Sequence, residues 1–125
     1  MRAKRLQIDP QPGPVLAKAV LRGGEILGLS QSTLGRVLGI SGSQVSRMKD
    51  GYVQLDPDSK PWEHALLFVR LFRSLQALVG ERDDLAQAWL ESENEDLGDV
   101  PSQMITRTEG LVRAVHYLDA ARGRI

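Results

Sequence analysis

The sequence has no cysteine, few aromatic residues (two Trp, two Tyr and two Phe in 125) and no long apolar run. The absence of cysteine excludes disulfides and thiol chemistry, and it fits a protein of the reducing cytoplasm. No apolar run approaches the roughly 18 residues of a membrane-spanning helix, so we predict no membrane segment. The basic first five residues have no apolar stretch behind them and do not form a secretory signal. We therefore expect a cytoplasmic protein.

Charge is balanced overall but unevenly distributed. Residues 1–60 contain nine Lys or Arg and five Asp or Glu, whereas residues 61–125 contain seven basic and eleven acidic residues. The two halves therefore carry net charges of +4 and −4. A basic front half suits a polyanionic partner. The alternative is ordinary scatter, because four charges in sixty residues is a modest excess.

Residues that perform catalysis or bind metals are also scarce. His64 and His116 are the only histidines, and neither stands at a metal-ligand spacing. The acidic residues in 91–99 do not match a calcium-binding loop. The chain has neither a phosphate-binding glycine loop nor a nucleophile elbow. We predict no catalytic residue, no metal site and no cofactor, and we expect that the protein is not an enzyme.

Apolar residues at three- and four-residue spacings predict an all-α fold. We expect helices at about 14–27, 31–38, 42–49, 62–79 and 83–91, a helical turn at 101–105, and a last helix that ends near 121. A capping box of Thr106 and Glu109 is predicted to open that last helix. The predicted domains are a flexible arm over 1–13, a DNA-binding domain over 14–60 and a small helical domain over 61–125.

The longest predicted helix has an unusually broad apolar face. One stripe recurs at three- and four-residue steps and consists of Trp62, Leu66, Val69, Phe72, Leu75 and Val79. Four further residues, Leu67, Phe68, Leu71 and Leu78, widen it. A face this broad is either covered on two sides or lies at an oligomer interface.

Residues 31–50 have the pattern of a helix-turn-helix. The apolar positions that pin the two helices together are Leu34, Leu38, Ile40, Val45 and Met48. Gly35 stands where the helices pass closest, and Gly39 stands at the turn, where a positive φ favours glycine. Ser41 and Gln44 form a predicted capping box that opens the second helix. In this motif the second helix enters the major groove of DNA.

The outer side of this motif supplies the candidate DNA contacts, with operator DNA as the expected partner. They are Gln31, Ser32, Ser43, Gln44, Ser46, Arg47 and Lys49. Gln44 is suited to the adenine edge and Arg47 to guanine or phosphate. Gln31, Ser32 and Lys49 are placed for phosphate contact. The alternative is a motif kept for dimerisation or packing, with Arg47 merely solvated.

Four segments of the back half resemble the Xre/MbcA/ParS-type antitoxins of bacterial toxin–antitoxin pairs. They are Leu71-Phe72-Arg73-Ser74-Leu75, Ala88-Trp89-Leu90, the loop Asn94…Leu97-Gly98…Pro101 and the helix start Glu109-Gly110-Leu111. The resemblance spans about residues 15–125. Two positions depart from the family pattern, since Glu93 replaces a usual proline and Asp99 a common glycine. In this family a Cro-like helix-turn-helix precedes a toxin-binding domain.

The resemblance implies a protein partner. Relatives pair with a RES-domain toxin that destroys NAD or with a related ADP-ribosylating toxin, and their C-terminal region covers the toxin's active site. The corresponding toxin-binding residues here are Tyr117, Asp119, Arg122, Arg124 and Ile125. Arg122 or Arg124 is suited to a bidentate pair with a carboxylate of the toxin, and the carboxylate of Ile125 to mimicry of a phosphate. The alternative for these last residues is a frayed, solvated tail.

The resemblance also implies a homodimer that assembles with toxin into a larger hetero-oligomer and represses its own operon. Two alternatives stay open. One is a plain dimeric helix-turn-helix repressor whose back half only dimerises. The other is an antitoxin whose helix-turn-helix does not bind DNA.

Overall fold

A computed structural model of the chain describes residues 12–123, in which every regular element is an α-helix. The seven helices are α1 (Pro12–Ile26), α2 (Gln31–Leu38), α3 (Gly42–Lys49), α4 (Lys60–Val79), α5 (Asp83–Glu91), α6 (Pro101–Met104) and α7 (Thr108–Gly123). A single bridge between Asn94 and Asp99 is the one β-type pairing in this range. The predicted all-α class is confirmed. The predicted arm lies almost wholly in residues 1–11, outside the described residues.

Serine side chains cap the starts of α2 and α4. The hydroxyls of Ser30 and Ser59 each accept the backbone N–H three residues further on, at 3.0 and 3.4 Å. This satisfies one of the N–H groups that the first turn of a helix leaves without a partner. Because these caps depend on residues three apart, the starts of α2 and α4 follow directly from the local sequence.

Helix α4 is the central element, and it packs against α1, α2, α5 and α7. Its buried apolar residues are Ala65, Phe68, Leu71, Phe72 and Leu75. The predicted stripe is therefore only partly correct: Leu66 is 51% exposed, and Trp62 and Val69 are half-buried. The buried face is shifted from the predicted stripe, because Ala65 and Phe68 are buried whereas Leu66 is exposed. Trp62 and Val69 pack against the edge of the core.

The predicted capping box at the start of the last helix is wrong. Helix α7 begins at Thr108, and the hydroxyl of Thr106 donates a 2.6 Å hydrogen bond to the carbonyl of Gln103. The four-residue helix α6 ends only two residues before Thr106. The hydroxyl therefore satisfies a carbonyl at the end of α6 instead of capping α7.

No helix between residues 12 and 123 combines the length and the apolar character that a bilayer-spanning segment needs.

Candidate binding surfaces

Helices α2 and α3 form the predicted helix-turn-helix, and two glycines make their close contact possible. A Cβ atom on Gly35 would lie 2.6 Å from the carbonyl oxygen of Ile40, so only glycine fits between the helices. Gly39 adopts the left-handed conformation with φ of 82° and reverses the chain. Leu34, Val45 and Met48 are buried between the helices and the rest of the core.

The seven candidate DNA contacts share one property: they are polar and border the two helix starts or the outer side of α3. Six of them, Gln31, Ser32, Ser43, Gln44, Arg47 and Lys49, are exposed, and Ser46 is half-buried. Gln31 and Ser32 lie in the first turn of α2, where backbone N–H groups attract phosphate. The fold therefore leaves these side chains accessible to a partner, and their contact with DNA stays a prediction.

Gln44 has a structural role that competes with its predicted role at DNA. Its Oε1 accepts the backbone N–H of Ser41 at 2.9 Å, while the Ser41 hydroxyl accepts the N–H of Gln44 at 3.1 Å. This confirms the predicted capping box. A bidentate contact to adenine needs the same Oε1 as an acceptor. The Nε2 group is therefore the part of Gln44 that can reach a base while the cap stays closed.

Tyr117, a predicted toxin contact, joins α7 to α5 and to the acidic loop, which is the segment 92–100 between α5 and α6. Its hydroxyl donates a 2.8 Å hydrogen bond to Oδ2 of Asp96. Its ring stacks on that of Trp89, with centroids 6.4 Å apart and planes inclined by 22°. Tyr117 is half-buried as a result.

Asp119, a second predicted toxin contact, is held by α4. Ser74 Oγ donates a 2.8 Å hydrogen bond to Asp119 Oδ1, and Arg70 forms an ion pair with Oδ2. Arg122 Nη1 donates to the same serine oxygen at 3.4 Å. The pKa of Asp119 lies below its ordinary value: partial burial acts to raise it, but the hydrogen bond from Ser74 and the charge of Arg70 outweigh that effect.

Three of the five predicted toxin-binding residues, Tyr117, Asp119 and Arg122, thus lie on α7. Tyr117 and Asp119 are engaged with neighbouring elements, and Arg122 is exposed. Arg124 and Ile125 lie outside the described residues. The sequence does not reveal that Arg70 and Ser74 contact Asp119, because a contact between side chains 45 or more positions apart leaves no local pattern.

The acidic loop between α5 and α6 is closed by its own backbone and by α7. Asn94 and Asp99 pair across it, with the N–H of Asn94 donating to the carbonyl of Asp99 at 2.9 Å. Leu97 is buried beneath the loop, and Arg113 donates to its carbonyl at 3.2 Å. The loop therefore has a defined shape that presents its carboxylates to solvent. Those that are exposed are Glu93, Glu95 and Asp96.

Gly110 gives the physical reason for the glycine in the Glu109-Gly110-Leu111 segment. A Cβ atom on Gly110 would lie 1.9 Å from the carbonyl oxygen of Met104. Helix α7 can pack against α6 only because this position has no side chain.

The two histidines lie on different helices, His64 on α4 and His116 on α7. Nε2 of His64 lies 3.2 Å from the hydroxyl of Thr108, and its Nδ1 is buried without a hydrogen-bond partner among the described residues. His116 is exposed on α7. Within residues 12–123 no three His, Asp or Glu side chains lie close enough together to hold a metal ion.

The fold places a helix-turn-helix before a second set of helices, and both pack on the central helix α4. Residues 6–70 match the family model of the antitoxin Xre-like helix-turn-helix domain. Residues 74–124 match that of the antitoxin Xre/MbcA/ParS C-terminal toxin-binding domain. The chain belongs to the Xre/MbcA/ParS family of antitoxins from toxin–antitoxin systems, as the resemblance predicted.

A solved structure has a similar fold. It is the crystal structure of the M. tuberculosis MbcT–MbcA toxin–antitoxin complex, and the matched chain is 24% identical with a TM-score of 0.67. The match covers 89% of this chain and 96% of that chain. A search of curated proteins gave no significant match.

Proposed function

We propose that the chain neutralises a NAD-consuming toxin of the RES type by covering its active site with the C-terminal region, and that it represses its own operon through α3. The observation that carries this proposal is the match of residues 74–124 to a toxin-binding domain, directly after a helix-turn-helix domain. The structural neighbour comes from a toxin–antitoxin complex, which supports a toxin partner. The RES identity of the toxin rests on the family resemblance of the sequence.

Charge and exposure support the DNA-binding part. Residues 12–54 carry five basic and two acidic residues, and Arg47 and Lys49 on α3 are exposed. Cationic side chains beside a recognition helix favour the phosphate backbone whatever the base sequence. Arg47 is proposed to read guanine or phosphate, and Gln31, Ser32, Ser43, Ser46 and Lys49 to fix the protein on the duplex.

The exposed row on α4 supports a homodimer. Leu66 is 51% exposed between the half-buried Trp62 and Val69, and Val15 of α1 is 54% exposed. A two-fold dimer would cover this α4 row and present two copies of α3 to an inverted-repeat operator. Toxin binding would then change the number of DNA-binding heads in one assembly, and with it the avidity for DNA.

One observation favours a second function, that of a plain dimeric repressor. Tyr117 and Asp119 are already engaged within the chain, as expected if the back half serves only to fold and dimerise. The two functions differ in one outcome, because only an antitoxin protects cells from a toxin.

Co-expression with the product of the adjacent gene tests the proposal. Cells that express the toxin candidate alone should lose NAD and stop growing, and the full chain should restore both. A chain that ends after Gly123 keeps every described contact of α7, so loss of protection in that variant would place the inhibitory contact in Arg124 and Ile125. A gel shift with the upstream promoter tests repression separately. Persistent toxicity in the presence of the full chain, together with an intact gel shift, would leave the plain repressor.

A charge introduced at the exposed position Leu66 tests the proposed dimer. Leu66→Glu should convert the dimer to a monomer in sedimentation analysis, because two carboxylates would meet at the two-fold axis. Glu63→Gln, one turn away on the exposed side of α4, is the matched control and should stay dimeric. An unchanged dimer in Leu66→Glu would move the interface elsewhere.

A further inference from the structure

Four polar side chains form a connected group between α4 and the last turns of α7. Arg70 and Ser74 stand four residues apart on one side of α4, and Asp119 and Arg122 stand three residues apart on the facing side of α7. Ser74 is completely buried, whereas the Asp119 side chain is 28% exposed and that of Arg70 56% exposed. The group lies near the end of α7.

Ser74 is the centre of this group because its hydroxyl uses both of its hydrogen-bonding roles. It donates to Asp119 Oδ1 at 2.8 Å and accepts from Arg122 Nη1 at 3.4 Å. A buried hydroxyl that is satisfied in both roles fixes the orientation of its partners. The second carboxylate oxygen of Asp119 is taken by Arg70. Both oxygens of Asp119 are therefore occupied within the chain.

We infer that Asp119 is a positioning residue for toxin binding and not a toxin contact. With Ser74 and Arg70 it clamps the last turns of α7 onto α4, and so it fixes the orientation of the end of this helix, to which Arg122 belongs. This inference rests on the proposed inhibition of a toxin by the C-terminal region.

The clamp matters because the end of a helix frays unless tertiary contacts hold it. A segment that is already oriented loses less conformational entropy when it enters a cleft, so it binds more tightly. Loss of the clamp should therefore weaken toxin binding even where the lost side chain cannot touch the toxin. Ser74, which has no exposed surface, is such a side chain.

The test compares two serines in the same domain. Ser74→Ala removes the centre of the clamp. Ser102→Ala is the matched control, since Ser102 is also buried and its hydroxyl donates to Glu91 Oε1 at 3.1 Å, away from the end of α7. The readouts are the Kd of the full-length variants for the toxin and the hydrogen exchange of the amides of residues 119–123 in the free chain.

Ser74→Ala and Asp119→Asn should each weaken toxin binding about tenfold and speed exchange at residues 119–123 about tenfold. Ser102→Ala should change both by less than about twofold. Equal losses of affinity in the two serine variants would overturn the inference, because a general loss of stability would then explain them. A large loss in Asp119→Asn with wild-type affinity in Ser74→Ala would also overturn it and make Asp119 a direct contact.

Hydrogen exchange separates this inference from the proposed function. If the wild-type chain binds no toxin, the proposed function fails, while exchange in the free chain still shows whether Ser74 and Asp119 hold the end of α7. Unchanged exchange in Ser74→Ala would disprove the clamp even if the wild-type chain binds the toxin tightly.

Discussion

The cations of α3 and two polar side chains of α7 differ in whether other residues of the protein already pair with them. On α3, Arg47 and Lys49 are exposed and form no ion pair within residues 12–123. On α7, Tyr117 and Asp119 bind side chains of other elements. A side chain without a partner in the chain is available to a ligand, whereas a paired side chain must first break a contact. The comparison teaches that α3 is suited to direct contact and α7 to the support of residues beside it.

The largest loss of stability should follow substitution of the two glycines at which helices make their closest contacts. Gly110→Ala should lower the free energy of unfolding by about 3 kcal/mol or more, because the new Cβ would overlap the Met104 carbonyl at 1.9 Å. Gly35→Ala should cost less, about 2 kcal/mol, because its nearest atom lies at 2.6 Å. Chemical denaturation measures both values.

Gly123→Ala is the matched control for these glycines, since nothing lies within 4 Å of its Cβ position. We expect it to be neutral or slightly stabilising, because alanine favours a helix more than glycine does. Wild-type stability in Gly110→Ala would mean that α6 and α7 do not pack as described.

The next largest effect should be on DNA affinity, and it concerns Arg47, an exposed residue of α3. Arg47→Ala should weaken operator binding by about 1–3 kcal/mol and leave the melting temperature unchanged, because the side chain makes no ion pair in the described residues. Fluorescence anisotropy with the upstream promoter measures the affinity. Arg73→Ala, an exposed arginine of α4, should bind DNA as the wild type does. Equal affinities in the Arg47 and Arg73 variants would remove the proposed role of α3.

A smaller effect should follow from the cap of the recognition helix. Ser41→Ala removes the hydroxyl that accepts the N–H of Gln44, and we expect the free energy of unfolding to fall by about 1 kcal/mol. Ser32→Ala is the control, because Ser32 is an exposed serine in the first turn of α2, and the residue that caps that helix is Ser30. Thermal unfolding of the two variants compares them, and an equal Tm would show that the capping box adds nothing measurable.

The smallest effect should be a dependence of protein stability on pH that arises from Asp119 of α7. The folded-state pKa of Asp119 is lowered, so its ionised form stabilises the fold above about pH 4, and this contribution is lost as the pH falls through the folded-state pKa. Asp119→Asn should therefore be less stable than the wild type at pH 7, by less than about 1 kcal/mol, and the difference should shrink at pH 3. Denaturation at both pH values measures this difference.

Asp84→Asn is the control for the pH series. Asp84 pairs with Arg82 on the open surface of the protein, where solvent screens the pair. Its substitution should have little effect at either pH. A difference between wild type and Asp119→Asn that stays constant from pH 7 to pH 3 would show that the charge of Asp119 is not what holds α7.

The amino-acid sequence alone predicted the all-α class and the helix-turn-helix with its capping box and its two glycines. It also predicted the family, from short segments such as Glu109-Gly110-Leu111. The domain limits at residues 13 and 60 and the roles of the individual contact residues stay predictions. The confirmed features of the helix-turn-helix depend on residues three to five positions apart, where one hydrogen bond or one turn sets the conformation.

Only the tertiary structure decided which side of α4 is covered and which polar side chains of α7 are occupied. Leu66 has the same apolar character as Phe72, yet Leu66 is exposed and Phe72 is buried, because the helices that pack on α4 cover Phe72 and leave Leu66 open. Ser74 and Asp119 are separated by 45 positions, and only the packing of α4 on α7 brings them within 2.8 Å. The local sequence determines the interactions of a residue within its own turn of helix. Which residues of two helices come into contact depends on the packing of the whole core.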